Sequence, residues 1–379
     1  MNISNPKKKK IKRKMKMGNI DYGIFYTVLF LLAIGTVMVY SASSYYSMFT
    51  YKDSMYFLKK QILWVFVGLI CMFFMMGFDY HKLKKYTPWL IIGCIPLLLL
   101  VFLFPDTNGA QRWIKIGPLS FQPSDLTKYA VVFFLALGLE VKGEGIKKFG
   151  TGIVPYLGVS GIFAGLILAE KNLSIASVIM IVTFIMLFAS GGRIKHLFGI
   201  VAPAMVCAAL FFTFSSDYRR DRMLNFTNPW KDPAGDGYQL IQSFYALGAG
   251  GVTGLGLGQS RQKTLYMPEP HNDFIFSIIG EELGLIGCLV IIALFIIFIW
   301  RGISVAIKAK DTYGTLLAIG ITSVIAVQAL INIAVVTGSM PVTGVPLPFI
   351  SYGGTSLVIN LTAMGVLLNI SRQIEGKEF

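Results

Sequence analysis

Three carboxylates mark the apolar run that begins within residues 268–284, PEPHNDFIFSIIGEELG: one at its lip and two inside it. Asp273 opens an apolar run that continues LIGCLVIIALFIIFIW to Trp300, and Glu281 and Glu282 sit two turns inside it. On a helix the glutamates lie about 12 Å or more beyond Asp273, at 1.5 Å per residue. Acids inside a membrane segment are costly and so point to function. Asp273 is where the run meets water. A carboxylate in partly apolar surroundings holds its proton more tightly, which suits a general base taking a proton from a hydroxyl. The plainer account is helix capping, because Asn272 or Asp273 at a helix start can accept a backbone N–H bond. Capping does not explain acids two turns down. Glu281 and Glu282 are expected to face the bundle interior and pair with a base, with Lys128 a candidate partner.

Cations and aromatic residues complete the candidate chemistry. PDTNGAQRWIKIGPLSFQP (105–123) carries Arg112 and Trp113. The next stretch, QPSDLTKYA, places Asp125 and Lys128 three apart on one face of a helix begun by Pro123 and Ser124. An intrahelical ion pair is the plain reading of that spacing. Arg261 and Lys263 stand in SRQKTLYMPEPHND. An anionic ligand would explain why these cations gather near Asp273. Against this, Asp217, Asp221, Asp232, Asp236 and Glu269 allow ordinary surface pairing in the same long loop. PVTGVPLPFISYGGTS (341–356) is too rich in Pro and Gly for a helix and too apolar for a plain solvent loop. It reads as irregular backbone lining a cavity at membrane depth, and its Ser351 and Tyr352 join the substrate-binding candidates. GLGLG (254–258) is not a nucleotide loop, since no strand precedes it and the spacing fits neither fingerprint. It reads as a turn or a close helix contact, with glycine amides presented to a diphosphate as the lesser alternative.

The elements that must position these residues follow from composition. The chain is 55% hydrophobic and 14% charged, with a mean hydropathy of +0.66. Apolar segments of spanning length fall at about 20–43, 59–77, 86–104, 124–140, 152–169, 172–190, 196–214, 273–300, 314–336 and 352–370. The expected fold is an all-α polytopic membrane protein of about ten transmembrane helices. A long, partly structured loop, 215–272, joins the seventh and eighth. Within it YQLIQSFYALGAGG reads as a short amphipathic helix, able to lie in the interface or to dip in and return if protein covers its backbone. The domain reading is a basic cytoplasmic tail, 1–19, and a single membrane domain, 20–379. The tail PKKKKIKRKMK and the short basic loops place both termini in the cytoplasm, and Asp273 with the long loops outside. With no small-residue cleavage site after it, the basic N-terminus does not read as a signal peptide. Nothing aromatic is interleaved with the tail, which argues against nucleic acid. The four cysteines form no CxxC pair and the three histidines are scattered, so no zinc site is indicated.

Four stretches resemble the SEDS family (shape, elongation, division and sporulation), membrane proteins that polymerise peptidoglycan glycan strands. They are NGAQRWIKIGPLSFQPSDLTK (108–128), NPWKDPAGDGYQLIQS (228–243), GLGLGQSRQKTLYMPEPHNDFIFSIIGEELG (254–284) and GVPLPFISYGGTSL (344–357). The resemblance runs from the first span to the C-terminus. GDGYQLIQS, SRQKTLYMPEPHNDFIF and LLNISR are most similar to the division and sporulation branch, FtsW and SpoVE, and less so to RodA. The resemblance implies that Asp273, in DFIF, is the essential catalytic acid. Arg112 and Trp113 match the family's RW position and Lys128 its fourth-span lysine, both tied there to activity. It also implies a class B penicillin-binding protein as partner, among other division or sporulation membrane proteins. The chain departs from the pattern twice. Asp125 stands where Glu is usual, and EKNLSIA (170–176) replaces EPDLGTA. The second change loses an acid and gains Lys171, so no catalytic role is carried onto that loop.

The expected activity is therefore a peptidoglycan glycosyltransferase with lipid II as donor and acceptor. The 4-hydroxyl of an incoming sugar attacks as the diphosphate lipid of the growing chain leaves, and Asp273 takes the proton. One acid suffices because Arg112, Lys128, Arg261 and Lys263 can stabilise the diphosphate without protonating it. Trp113 walls a sugar or anchors the interface. Asp125, Glu281 and Glu282 support the site. A divalent ion, Mg or Mn, is the one cofactor option. The rival reading is a lipid II flippase, which needs the cations but not the base. A third is a non-catalytic scaffold of the division machinery.

Overall fold

The computed structural model describes residues 18–105, 111–117, 119–215, 217–235 and 237–374; the basic tail to residue 17 lies outside them. Every expected apolar segment is helical. In chain order the helices are α1 (Tyr22–Tyr51), α2 (Tyr56–Gly77), α3 (Leu83–Leu100), α4 (Pro123–Lys142), α5 (Val154–Ala169) and α6 (Leu173–Ala189). A single turn, α7 (Ile194–His196), and a π-helical turn lead into α8 (Ala202–Phe214). The long loop holds α9 (Asp217–Thr227) and α10 (Tyr238–Gly250); then come α11 (Ile275–Lys308), α12 (Thr312–Val336) and α13 (Gly354–Ile374). Local signals set several starts. Asp21, Asn172 and Asp311 accept backbone N–H bonds from Ile24, Ile175 and Gly314 at 3.0, 3.3 and 3.2 Å. Pro123 opens α4, where its missing N–H costs nothing.

Among the described residues eight helices are long and apolar enough to cross a membrane. Two of the ten expected spans fall short of that. α6 has 17 residues, and α4 carries Asp125, Lys128, Glu140 and Lys142. The chain is a multi-pass membrane protein. Helix α12 forms its centre, with 72% of its apolar stretch buried, whereas Ile194–Phe214 is 11% buried and lies at the rim. Exposed Phe66, Phe74, Trp89 and Trp300 are the apolar surface that lipid requires. One feature departs from the all-α expectation. Ile114–Ile116 (β1) and Leu119–Phe121 (β2) form an antiparallel hairpin, with Ile114 opposite Phe121, in the stretch between the third and fourth expected spans, where no strand was expected.

The two ends of the bundle differ. At one, Gly18 N–H donates to the Arg372 carbonyl, the Asp21 N–H to Ser371 Oγ, and Arg301 pairs with Asp21 at 2.9 Å. There too the Tyr80 hydroxyl donates to Asp311, and Gln373 to Asp79. Burial alone would raise the Asp311 pKa, but hydrogen bonds from His81, Tyr80 and the Gly314 N–H outweigh that and hold it at about 2. This end is a polar clasp. The opposite end carries the hairpin, the α5–α6 turn, the long loop 215–272 and the loop 337–353.

Part of the long loop enters the bundle, the second of the two placements that its amphipathic pattern allowed. Leu240 and Ile241 of α10 are buried, and the chain after it pairs with a break in α11 at Gly284 (φ 68°). Leu255 and Gly256 N–H donate to the carbonyls of Glu281 and Glu282, and Leu285 and Ile286 N–H to those of Gly251 and Val252. Only glycine permits this approach, because a Cβ at Gly254 would lie 2.2 Å from the Glu282 carbonyl oxygen. GLGLG is thus a close backbone contact, and it satisfies the polar groups that the helix break exposes.

Candidate active site

Asp273 ends the long loop two residues before α11. Phe274 occupies the cap position, with no side-chain cap bond, and the Asn272 amide donates to Glu269. The Asp273 backbone is held from α12. Asn332 of α12 donates to the Asp273 carbonyl and to that of Val345, both at 2.7 Å. This clamps the start of α11 to the Pro/Gly-rich loop. The half-buried carboxylate faces Gly344 (φ 71°), where a Cβ would come within 3.2 Å of Oδ2.

Ser351 and Tyr352 fasten the same junction. The buried Ser351 hydroxyl donates to the Asn272 carbonyl and accepts from Leu347 N–H, both at 2.8 Å. Tyr352 N–H donates to the His271 carbonyl, and its ring packs edge-on against Phe57. Burial raises the Tyr352 phenol to about 12 and lowers His271 to about 4, so both stay neutral. Ser351 lines a small cavity with Gln328, Pro346, Gly353, Ser356 and Asn360. That cavity reaches the fourth helix, because Gln328 accepts from Lys128 at 3.2 Å.

Lys128 is 2% exposed and pairs with Asp125 at 3.0 Å, the intrahelical ion pair that the spacing suggested. It is therefore not the partner of the α11 glutamates. That correction extends to Lys263, expected among the diphosphate cations. Lys263 is buried, 2.8 Å from Glu282, and its ammonium also donates to Ser41 of α1 at 3.1 Å. Glu281 accepts from the Ser260 hydroxyl and from Arg261 N–H at 2.8 Å. A buried carboxylate must be paired or hydrogen-bonded, and the returning loop supplies every one of these donors except Ser41. Arg261 itself is exposed.

Arg112 and Trp113, both half-buried, precede β1, and the hairpin is tied to α13 by a bond from Thr355 to the Ser120 carbonyl at 3.1 Å. The Arg112 guanidinium donates to the Lys171 carbonyl in the α5–α6 turn. Ser174, at the start of α6, donates to the Thr343 carbonyl, adjacent to Gly344 and so to Asp273. The EKNLSIA stretch, given no role from the sequence, thus joins Arg112 to the loop against Asp273. Buried polar atoms without a hydrogen-bond partner collect along this path: Asn332 Oδ1, Thr343 Oγ1 and both oxygens of Glu170. Among the described residues no three His, Cys, Asp or Glu side chains are grouped to hold a metal ion.

The chain is a polytopic membrane bundle with a carboxylate at the entrance of α11, beneath the loop 337–353. Residues 22–376 match the FtsW/RodA/SpoVE family of cell cycle proteins, and the chain belongs to it. It is 45% identical to stage V sporulation protein E of Bacillus subtilis, over 91% of this chain and 94% of that one. It is 42% identical to a probable peptidoglycan glycosyltransferase FtsW of Geobacter metallireducens, covering 94% and 96%. A solved structure of a peptidoglycan synthase complex, concerned with coordinating polymerization and crosslinking, contains a similar chain. That chain is 29% identical with a TM-score of 0.78, and the match covers 94% of this chain and 98% of that one.

Proposed function

We propose that Asp273 is the general base with which this peptidoglycan glycosyltransferase polymerises lipid II, the undecaprenyl-diphosphate-linked disaccharide pentapeptide. The acceptor's 4-hydroxyl loses its proton to Asp273 as its oxygen attacks the anomeric carbon of the growing chain. The bond to the diphosphate breaks with inversion. Arg112 and Arg261 hold the departing charge, while Lys128, balanced by Asp125, polarises the cavity floor. Trp113 walls the sugar. The site faces outward in the bacterial cell membrane, with both termini cytoplasmic and residues 20–379 acting as one domain. A class B penicillin-binding protein supplies the crosslinking half of the synthase complex.

One observation carries this reading. The Asp273 carboxylate lies half-buried against Gly344. Its main chain is clamped from α12, by the bond from Asn332 to its carbonyl, and Asn in its place keeps that bond and the side chain's size. Asp273→Asn should therefore insert normally and bind its transpeptidase partner. In a reconstituted assay with lipid II it should make almost no glycan strand. Near wild-type polymer from this variant would mean that the base lies elsewhere. Loss of lipid II translocation rather than of polymer would favour the flippase.

A further inference from the structure

Glu170 is a group that the mechanism above does not use. It closes α5 at the α5–α6 turn, is 1% exposed, and both its oxygens lack a hydrogen-bond partner. A buried carboxylate in this condition is costly when charged, and most proteins remove it or pair it. Here it is kept, one residue from the Lys171 carbonyl to which Arg112 donates.

We propose that Glu170 is a positioning residue for Arg112: as a neutral acid it leaves the guanidinium charge to the diphosphate, and on ionising it captures that charge. The inference rests on the reading of Arg112 as a diphosphate cation. Burial pushes the Glu170 pKa up, and Arg112 pulls it part of the way back, to about 8. Arg112 comes from the hairpin, and Lys171 is the other charge on Glu170's own turn. The start of α6 brings Asn172 and Ser174, and the loop held by Ser174, residues 341–345, contains no titratable side chain. At neutral pH Glu170 is thus protonated. Above pH 8 the carboxylate and the guanidinium satisfy each other, at the expense of the ligand.

The sign of the effect on stability follows. A carboxyl whose folded pKa is raised binds its proton more tightly folded than unfolded. Stability is therefore greatest below the ordinary carboxylate range, falls as pH rises towards 8, and is level beyond.

The test uses the full-length chain with its crosslinking partner and lipid II, from pH 6 to 9.5. In wild type, KM for lipid II should rise roughly tenfold one pH unit above the transition. Glu170→Gln, neutral throughout, should keep the wild-type KM at pH 7 and lose most of that rise. Its melting temperature should also lack the decline between pH 5 and 8. The same alkaline rise in Glu170→Gln as in wild type overturns the proposal. Should that variant fail to insert, the wild-type profile decides alone: a KM flat to pH 9 overturns it equally. Arg112→Gln separates the two readings. If its KM at pH 7 equals wild type, the placement of the diphosphate is wrong. If that KM is raised but Glu170→Gln keeps the wild-type alkaline rise, only the role of Glu170 falls.

Discussion

Lys263 and Glu282 show what a buried charge requires of its surroundings. Each closes the other's valences, with Ser41 bridging from α1. Lys263→Met should strand the Glu282 carboxylate and cost about 3–5 kcal/mol, read as a lower melting temperature in detergent. Adding Glu282→Met should restore much of it, since the partnerless charge is then gone. Gly344→Ala makes the contrasting case near the reaction. Its positive φ costs an L-residue about 1–2 kcal/mol, and its methyl presses on Asp273. Folded protein should remain, with kcat lowered on the order of tenfold to a hundredfold. At this scale the sequence showed which residues were unusual but not whom they meet. Glu281 and Glu282 were conspicuous as acids in an apolar run. Lys263, however, reaches Glu282 only because the chain between them folds back, and Ser41 looks like any small helix residue. Glu170 was hidden differently: the novelty beside it, Lys171, drew notice, while the burial of the older residue left no mark in the sequence.

Among the elements, the pairing of the 251–256 segment with the broken α11 governs the placement of these side chains. Spans were legible because twenty apolar residues have few other uses. The break was not, since GEELGLIG reads as continuous helix until another backbone occupies the gap. The β1–β2 hairpin was missed for a related reason: three-residue strands are too short for alternation to declare itself. Gly254→Ala should undo the pairing, because its φ of 82° and the 2.2 Å approach to Glu282 both exclude a side chain. Limited trypsin digestion reads this out. Lys263, buried in wild type, should resist cleavage, and in the variant it should be cut while exposed Arg261 is cut in both. Continued protection of Lys263 would show that the loop docks without the glycine.

For the whole molecule, sidedness is the first prediction. Thr227→Cys and Lys308→Cys, both exposed positions, can be compared in a chain lacking Cys71, Cys94, Cys207 and Cys288. An impermeant thiol reagent on intact cells should label Thr227→Cys and leave Lys308→Cys unmodified; the opposite pattern would invert the protein and its site. The polar clasp has a consequence of another kind, in time. Helix α2 packs chiefly on α13, and Gly18 bonds to Arg372, so the earliest helices made find their neighbours among the last. A ribosome must finish nearly the whole chain before α1 and α2 can settle. Until then α2 waits in lipid with its α13-facing side uncovered. A polypeptide stopped before Gly354 is thus left open at its first-made edge, and quality-control proteases should meet it there.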